Sequence, residues 1–192
     1  MRKVLCILAV LLMVIVSGCG LVSGTAFVKQ DVDETIVADQ GGSLDDQFAG
    51  AVVDLTDNSD WSDFTIEGIE DGCVALDAWN LLADSVSGEI WITDDTTATA
   101  RGAIHSVADI VTAGGFRVFS GLALEPGPDD PNIQTDAQHF TCAYTISRLE
   151  NVDLLVAAVQ RGYFVAWGAG DQDQYHFQIS GIVFGIHVTG SL

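Results

Sequence analysis

Four aspartates spaced three residues apart, Asp54, Asp57, Asp60 and Asp63, are the residues of this sequence best suited to chemistry. Calcium takes about six to eight oxygen ligands in flexible geometry, and a loop between strands can supply several carboxylates. The stretch lacks the glycine and the distal glutamate of the EF-hand loop. We interpret it as a candidate calcium site, with calcium as the one cofactor suggested. The alternative is a plain turn, in which aspartates hydrogen-bond their own backbone.

Motifs for nucleophilic, phosphate-binding and zinc chemistry are missing from the sequence. There is no G-x-S-x-G turn to expose a serine, and no glycine-rich phosphate loop. The four histidines have no zinc-ligand spacing; they are His105, His139, His176 and His187. Carboxylates are abundant, so a carboxylate-dependent hydrolase is the enzymatic alternative, and it would need two acids facing each other across a cleft.

Short strands are the elements that would position these side chains. Apolar residues alternate along Val86–Thr93, Phe116–Leu124 and Phe140–Ser147, and a period of two places one set of side chains on the core face. The alternation that starts at Tyr175 shifts by one residue after Ser180-Gly181, which predicts a β-bulge or a bend. Further candidate strands are Gln47–Thr56, Gly72–Trp79 and Tyr163–Trp167.

One helix is predicted over residues 152–161, with Asn151 as its N-cap and Gly162 as its stop. A second, short helix is predicted over residues 104–113. Many short strands separated by Gly- and Asp-rich turns favour a mostly β protein. We expect one antiparallel β-sandwich over residues 27–192, of jelly-roll or immunoglobulin-like layout, with the helix covering one open end or edge.

The N-terminal residues have the pattern of an export signal. Arg2 and Lys3 precede an uncharged apolar run over residues 4–16, followed by Ser17 and Gly18. A run of 13 residues suits a signal-peptide core and is short for a membrane-spanning helix, which needs about 20 residues. Residues 1–18 are therefore interpreted as a signal peptide. The alternative, given the cysteine that follows, is an ordinary signal peptide beside a chance cysteine.

Val16-Ser17-Gly18-Cys19 resembles the lipobox of bacterial lipoproteins. The resemblance covers residues 1–19 and implies that the chain is cut before Cys19, whose thiol carries a diacylglyceryl group. It implies a membrane partner reached through lipid on Cys19, with residues 19–26 as a tether. More than one acyl chain gives a stable anchor. Residue 20 is glycine, not the aspartate linked to inner-membrane retention in that class, which favours the outer membrane in a two-membrane cell.

Export also bears on the two remaining cysteines, Cys73 and Cys142. An even pair in an exported protein predicts a disulfide, which would be worth roughly 4 kcal/mol by the loop-entropy estimate. The alternative is two buried free thiols, which behave as small apolar residues.

The charge balance excludes some partners. The sequence has 7 basic and 27 acidic residues and a net charge of −20. Nucleic-acid binding needs clustered Lys and Arg, so it is not expected. Anionic lipid headgroups would repel such a surface, so the lipid must do the anchoring. The plain interpretation of the acidity is a solvated coat.

The expected function is a lipid-anchored envelope protein with a non-enzymatic binding, adhesion or structural role; an accessory subunit of an envelope complex is a further alternative. Trp91 lies on the polar face of its predicted strand, where it could stack on a glycan or protein partner. More often such a side chain packs beneath a loop or helix.

Overall fold

The computed structural model of the chain describes residues 23–41, 48–56, 65–127, 137–141 and 149–191, without the side chains of residues 23–27 and 71–73. These ranges contain ten strands and three helices. The strands are β1 (Ser23–Val32), β2 (Ile36–Gln40), β3 (Phe48–Ala49), β4 (Ala51–Asp54), β5 (Thr65–Asn80), β6 (Val86–Thr93), β7 (Phe116–Leu124), β8 (Gln138–Phe140), β9 (Tyr163–Gly170) and β10 (Tyr175–Ser191). The helices are α1 (Ala98–Arg101), α2 (Val107–Thr112) and α3 (Val152–Arg161).

The strands form two antiparallel sheets packed face to face, so the β-sandwich prediction is confirmed. The larger sheet has the order β3-β2-β10-β5-β8, with β1 also paired to β10, and the smaller has the order β4-β9-β6-β7. Glycines of β9 allow the two sheets to approach closely. A Cβ at Gly170 would lie 2.6 Å from Cγ of Tyr175, and one at Gly168 would lie 3.0 Å from both Ile36 and Phe177.

The strand pairs are nested in the order of a jelly roll. β6 pairs with β7, β5 with β8, β4 with β9, and β2 with β10, each antiparallel. The early strands thus pair with the late strands in reverse order, and the folded ribbon alternates between the two sheets, as a jelly roll requires. The immunoglobulin-like layout is wrong, because its ABED and CFG sheets have a different strand order.

The 17-residue strand β10 is central to the larger sheet. Its first part pairs with β2 and its second part with β1 on one edge, while β5 follows the other edge from Phe177 to Ser191. The register with β5 shifts between Ser180 and Val183, and Gly181 has φ of 57°. The phase change predicted at this glycine is therefore a β-bulge within one strand. A left-handed φ favours glycine because it has no Cβ to clash.

Most predicted elements are confirmed, with some corrections at their ends. β6 and β7 have the predicted bounds, α3 spans residues 152–161, and Gly162 ends it with φ of 87°. Asn151 makes no capping bond. Its φ is 52°, and its side chain instead donates to the carbonyl of Arg117 at 2.8 Å. The strand predicted from Phe140 is described only to residue 141, because residues 142–148 lie outside the described ranges.

The first strand begins earlier than the predicted domain boundary at residue 27. β1 starts at Ser23 and pairs with β10 along its whole length, from Ser23 opposite Ser191 to Val32 opposite Ile182. The residues expected to be a tether are thus partly sheet, because a ten-residue ladder supplies hydrogen bonds that a tether would lack.

Two apolar clusters lie on opposite sides of the smaller sheet. The main core lies between the sheets, where Phe177 and Ile179 are fully buried. A second cluster lies on the outer side, where Ile104 and Ile110 of the helical segment after β6 cover Val165, Trp167 and part of Trp91. Trp91 therefore packs beneath a helix. This was the alternative to the interpretation that Trp91 stacks on a partner.

Candidate functional site

The predicted site residues are described only in part. Cys73 lies on β5 opposite Gly185 of β10, but its side chain is not described. The lipidation, disulfide and calcium predictions otherwise fall outside the described ranges, at Cys19, Asp57, Asp60, Asp63 and Cys142.

Asp54 is the one member of the aspartate series that is described. It ends β4, is exposed, and accepts the N–H and the hydroxyl of Thr56 at 2.9 and 2.6 Å. These two hydrogen bonds lower the pKa of Asp54 below its usual value because they stabilise the ionised form. Its carboxylate thus holds a turn, and among the described residues no three His, Cys, Asp or Glu side chains are grouped to hold a metal.

The densest polar cluster lies on the smaller sheet and the segment that leads into α3. Arg117 of β7 donates to Glu89 of β6 at 2.5 Å and to Glu150 at 2.9 and 3.0 Å. Ser120 donates to the other oxygen of Glu150 at 2.7 Å, and Trp91 donates to Glu89 at 2.9 Å. We call these five residues the Arg117 network. It joins neighbouring strands to the chain that precedes α3.

Electrostatics in the Arg117 network favour the charged forms. The hydrogen bond from Ser120 and then those from Arg117 lower the pKa of Glu150, while the bond to Glu150 raises the pKa of Arg117. Stabilisation by Glu150 is present above its unfolded-state pKa and is lost as pH falls through the lowered folded-state pKa. General acid catalysis needs a raised pKa. The hydrogen bonds that they accept lower the pKa of four described acids, Asp54, Asp95, Asp109 and Glu150.

The other described cations are also paired with carboxylates. Arg101 bonds Glu34 at 3.2 Å, Lys29 lies 3.3 Å from Asp31, and Arg161 bonds Asp94. These pairs are largely exposed, so each stabilises the fold little. Each carboxylate nonetheless partly neutralises the positive charge of the cation beside it.

An apolar cavity of ≈ 80 Å³ lies between the sheets. Its walls are Val, Ile, Leu and Phe side chains of both sheets, with Leu155 of α3. A cavity of this kind stays dry, because water needs two to four polar partners. If the cavity is empty, it lowers the free energy of unfolding by about 2 kcal/mol, at ~24 cal/mol per Å³. It can hold a small apolar group and cannot perform acid–base chemistry.

Sequence reasoning missed both the Arg117 network and the cavity. Glu89 lies among the polar residues of an alternating strand, and Glu150 directly precedes the predicted N-cap Asn151. Strand pairing brings Glu89 and Glu150 to Arg117, and no spacing of residues along the chain predicts this arrangement.

Comparison with known proteins leaves the family open, since no family model matches the chain. A ribose-5-phosphate isomerase A of Lactococcus lactis subsp. cremoris is 30% identical over 128 residues, and the same protein of a second strain is 29% identical. Each match covers 58% of this chain and 57% of the relative. The chain thus spans little more than half of these relatives, which does not place it in their family.

One solved structure, from Desmodium yellow mottle tymovirus, covers 88% of this chain and 83% of its own at 10% identity. Its TM-score is 0.20, so the match carries no weight here, and the jelly-roll assignment depends on the strand pairing alone.

The Arg117 network predicts unequal costs for two arginine substitutions. Arg117→Met leaves Glu89, whose side chain is 13% exposed, with a half-buried charge and no cation. We expect a loss of about 1–2 kcal/mol in the free energy of unfolding. Arg161→Met is the matched control. Its partner Asp94 is 61% exposed, so the loss should stay below about 1 kcal/mol. Urea unfolding at neutral pH measures both, and equal losses would contradict this account of the network.

The cavity predicts that one added methylene is tolerated at its wall. Val118 lines the cavity, so Val118→Ile should keep or raise the free energy of unfolding by up to about 1 kcal/mol. Val53 is equally buried but does not line the cavity, so Val53→Ile should cost about 1–3 kcal/mol through overpacking. Thermal unfolding of both variants checks this. A larger cost at Val118 than at Val53 would mean that the space is not there.

Proposed function

We propose that this chain is an exported protein held by lipid on Cys19 to a bacterial membrane, the outer membrane in a two-membrane cell. The observation that carries the proposal is Val16-Ser17-Gly18-Cys19 at the end of a 13-residue apolar run that follows Arg2 and Lys3. Charge, apolar core, small residues and cysteine occur in the order that a lipoprotein signal requires. Among the described residues, no helix has the length and apolar character to cross a membrane.

The role we propose for the β-sandwich is non-enzymatic: binding, adhesion or support within the envelope, including as a subunit of a larger complex. Two features of the described residues favour this over a carboxylate-dependent hydrolase. The cavity between the sheets is walled by apolar side chains, and Glu89 and Glu150 are both bonded to Arg117. Such a hydrolase needs a free acid with a raised pKa facing a second carboxylate.

The ribose-5-phosphate isomerase A relatives suggest a different activity, which we do not extend to this chain. A sugar phosphate is recognised through cations or clustered backbone N–H groups. Each of the four described cations already bonds a carboxylate, and the net charge of −20 repels phosphate.

Calcium stays a prediction for the Asp54–Asp63 stretch, since only Asp54 to Thr56 of it is described. The disulfide between Cys73 and Cys142 is likewise a prediction that follows from the proposed export.

The lipid anchor is tested by labelling with radioactive palmitate in a bacterial host. We expect the wild-type chain to incorporate label and to sediment with membranes, and Cys19→Ser to lose both. Cys6→Ser is the matched control, because Cys6 lies within the predicted signal peptide and should leave labelling unchanged. Absence of label from the wild-type chain, or equal label in Cys19→Ser, would refute the proposal.

A further inference from the structure

The outer face of the larger sheet carries a tryptophan that is only partly buried. In β5 the side chains of Ala78 and Asn80 are buried, so the alternation of the strand places Trp79 on the outer face. Trp91 and Trp167, by contrast, pack beneath the helical segment after β6, on the smaller sheet. Among the described tryptophans, Trp79 is therefore the one whose ring lies on an outer sheet face without a helix over it.

Polar side chains surround Trp79 on the same face because three strands are in register. Gln178 of β10 is directly opposite Trp79, and Asp77 precedes Trp79 by two residues on β5. Ser180 of β10 and His139 of β8 are opposite Asp77 on its two sides. The Cβ atoms of opposite residues are about 5 Å apart, and those of diagonal neighbours about 7–8 Å. We call these five residues the Trp79 platform.

Three side chains of the platform have hydrogen-bonding groups that the protein leaves unused. Within the described part of the chain, the indole N–H of Trp79, the amide of Gln178 and the hydroxyl of Ser180 have no partner, and all three side chains are half-buried. The other two described tryptophans each donate their indole N–H to a side chain. Groups that are open to water can bond a ligand without breaking a hydrogen bond within the protein.

Asp77 and His139 form the fixed part of the platform. Nδ1 of His139 lies 2.6 Å from Oδ1 of Asp77, and the two side chains are 73% and 40% exposed. This contact orients the imidazole ring and leaves Nε2 as its free nitrogen. The second oxygen of Asp77 lies beside Gly181 of the β-bulge, where an added Cβ would be 3.4 Å from it. Because residue 181 has no side chain, this oxygen stays accessible.

The size of the platform favours a small ligand over a protein. Three strands ~4.8 Å apart and two residue steps of ~3.3 Å give an area of about 10 by 7 Å between Cα atoms. The open area does not extend across β2, because Asp39, on the outer face opposite His176, is buried. A stable protein interface needs about 800 Å² on each partner, which is many times larger.

We propose that the Trp79 platform binds a neutral saccharide through about one or two of its rings. A pyranose ring has an apolar face of C–H groups and a rim of hydroxyls. The apolar face matches the indole, and the hydroxyls match an amide, a hydroxyl, a carboxylate and an imidazole, which together donate and accept hydrogen bonds. A net charge of −20 repels sugars that carry carboxylate or phosphate groups. The proposal rests on the binding role proposed above and names its ligand class.

The test uses the full-length chain in detergent micelles, with 5-fluorotryptophan in place of its four tryptophans. Maltotriose, cellotriose and triacetylchitotriose are the neutral probes, added to about 50 mM because a small, flat site binds in the millimolar range. We expect at least one probe to shift the fluorine resonance of Trp79 several-fold more than the other resonances. Trp79→Phe identifies that resonance by its absence. No shift with any probe, or equal shifts of all resonances, would overturn the proposal.

Variants test whether the platform itself supplies the binding. Trp79→Ala should abolish measurable binding, while Gln178→Ala and His139→Ala should each weaken it several-fold, as measured by calorimetry. Lys29→Gln is the matched control, because Lys29 is exposed on the same face, opposite Gly185 and beyond the bulge, and it should bind as the wild type does. Urea unfolding checks that each variant is folded. Unchanged affinity in folded Gln178→Ala and His139→Ala, or equal weakening in Lys29→Gln, would contradict the platform.

The remaining outcomes separate this inference from the proposals on which it builds. Broadening of the Trp79 resonance with protein concentration, without sugar, would mean that a second copy occupies the face, and the saccharide proposal would be wrong. Palmitate labelling without any sugar shift would refute the saccharide site alone. Sugar binding by an unlabelled chain would refute the anchor and leave the platform. Cleavage of a bound probe would contradict the non-enzymatic role while supporting the site.

Discussion

The ladder of hydrogen bonds along both edges of β10 is the constraint on which the rest of the structure depends. β5 occupies one edge, and β1 and β2 share the other, so this strand joins the first strands of the described chain to its last. The strands between β2 and β10 then pair with one another inside this outermost pair. Such pairing has a high mean sequence separation, which makes folding slow because loop-closure entropy is lost before the contacts form.

The sandwich that results has a non-polar interior and a polar cluster beside it. The apolar faces of the two sheets meet closely where Gly168 and Gly170 allow it, and they leave ≈ 80 Å³ unfilled farther along, beside Leu155 of α3. On the smaller sheet, Arg117 fixes the start of the α3 segment through Glu150. α3 in turn bonds β5 through Gln160 near the end where the lipid would attach.

Local patterns were sufficient to predict β6 and β7, but they missed β2 and the first half of β5, whose extent depends on pairing with β10. Alternation alone placed β6 and β7 to the residue, and the phase change at Gly181 correctly marked a bulge, since both depend on neighbours in the chain. The choice between jelly-roll and immunoglobulin-like layouts was open, because strand order leaves no local pattern. Asn151 occupies the N-cap position of α3 as predicted but makes no capping bond, because its φ of 52° is left-handed and its Nδ2 donates to the carbonyl of Arg117, 34 residues away. The Arg117 network and the cavity could not be predicted either, because both form between residues that are far apart in the sequence.

Amide hydrogen exchange along β1 and β10 tests most directly whether one shared ladder organises the molecule. If it does, the β1 amides that face β10 between Val28 and Val32 should exchange only through global unfolding, with the same free energy as the paired amides of Ile182 to Val188. The first strand would then be rigidly part of the sandwich. If β1 instead exchanged orders of magnitude faster than β10 and β5, the first strand would open on its own. The central role of β10 would then be wrong.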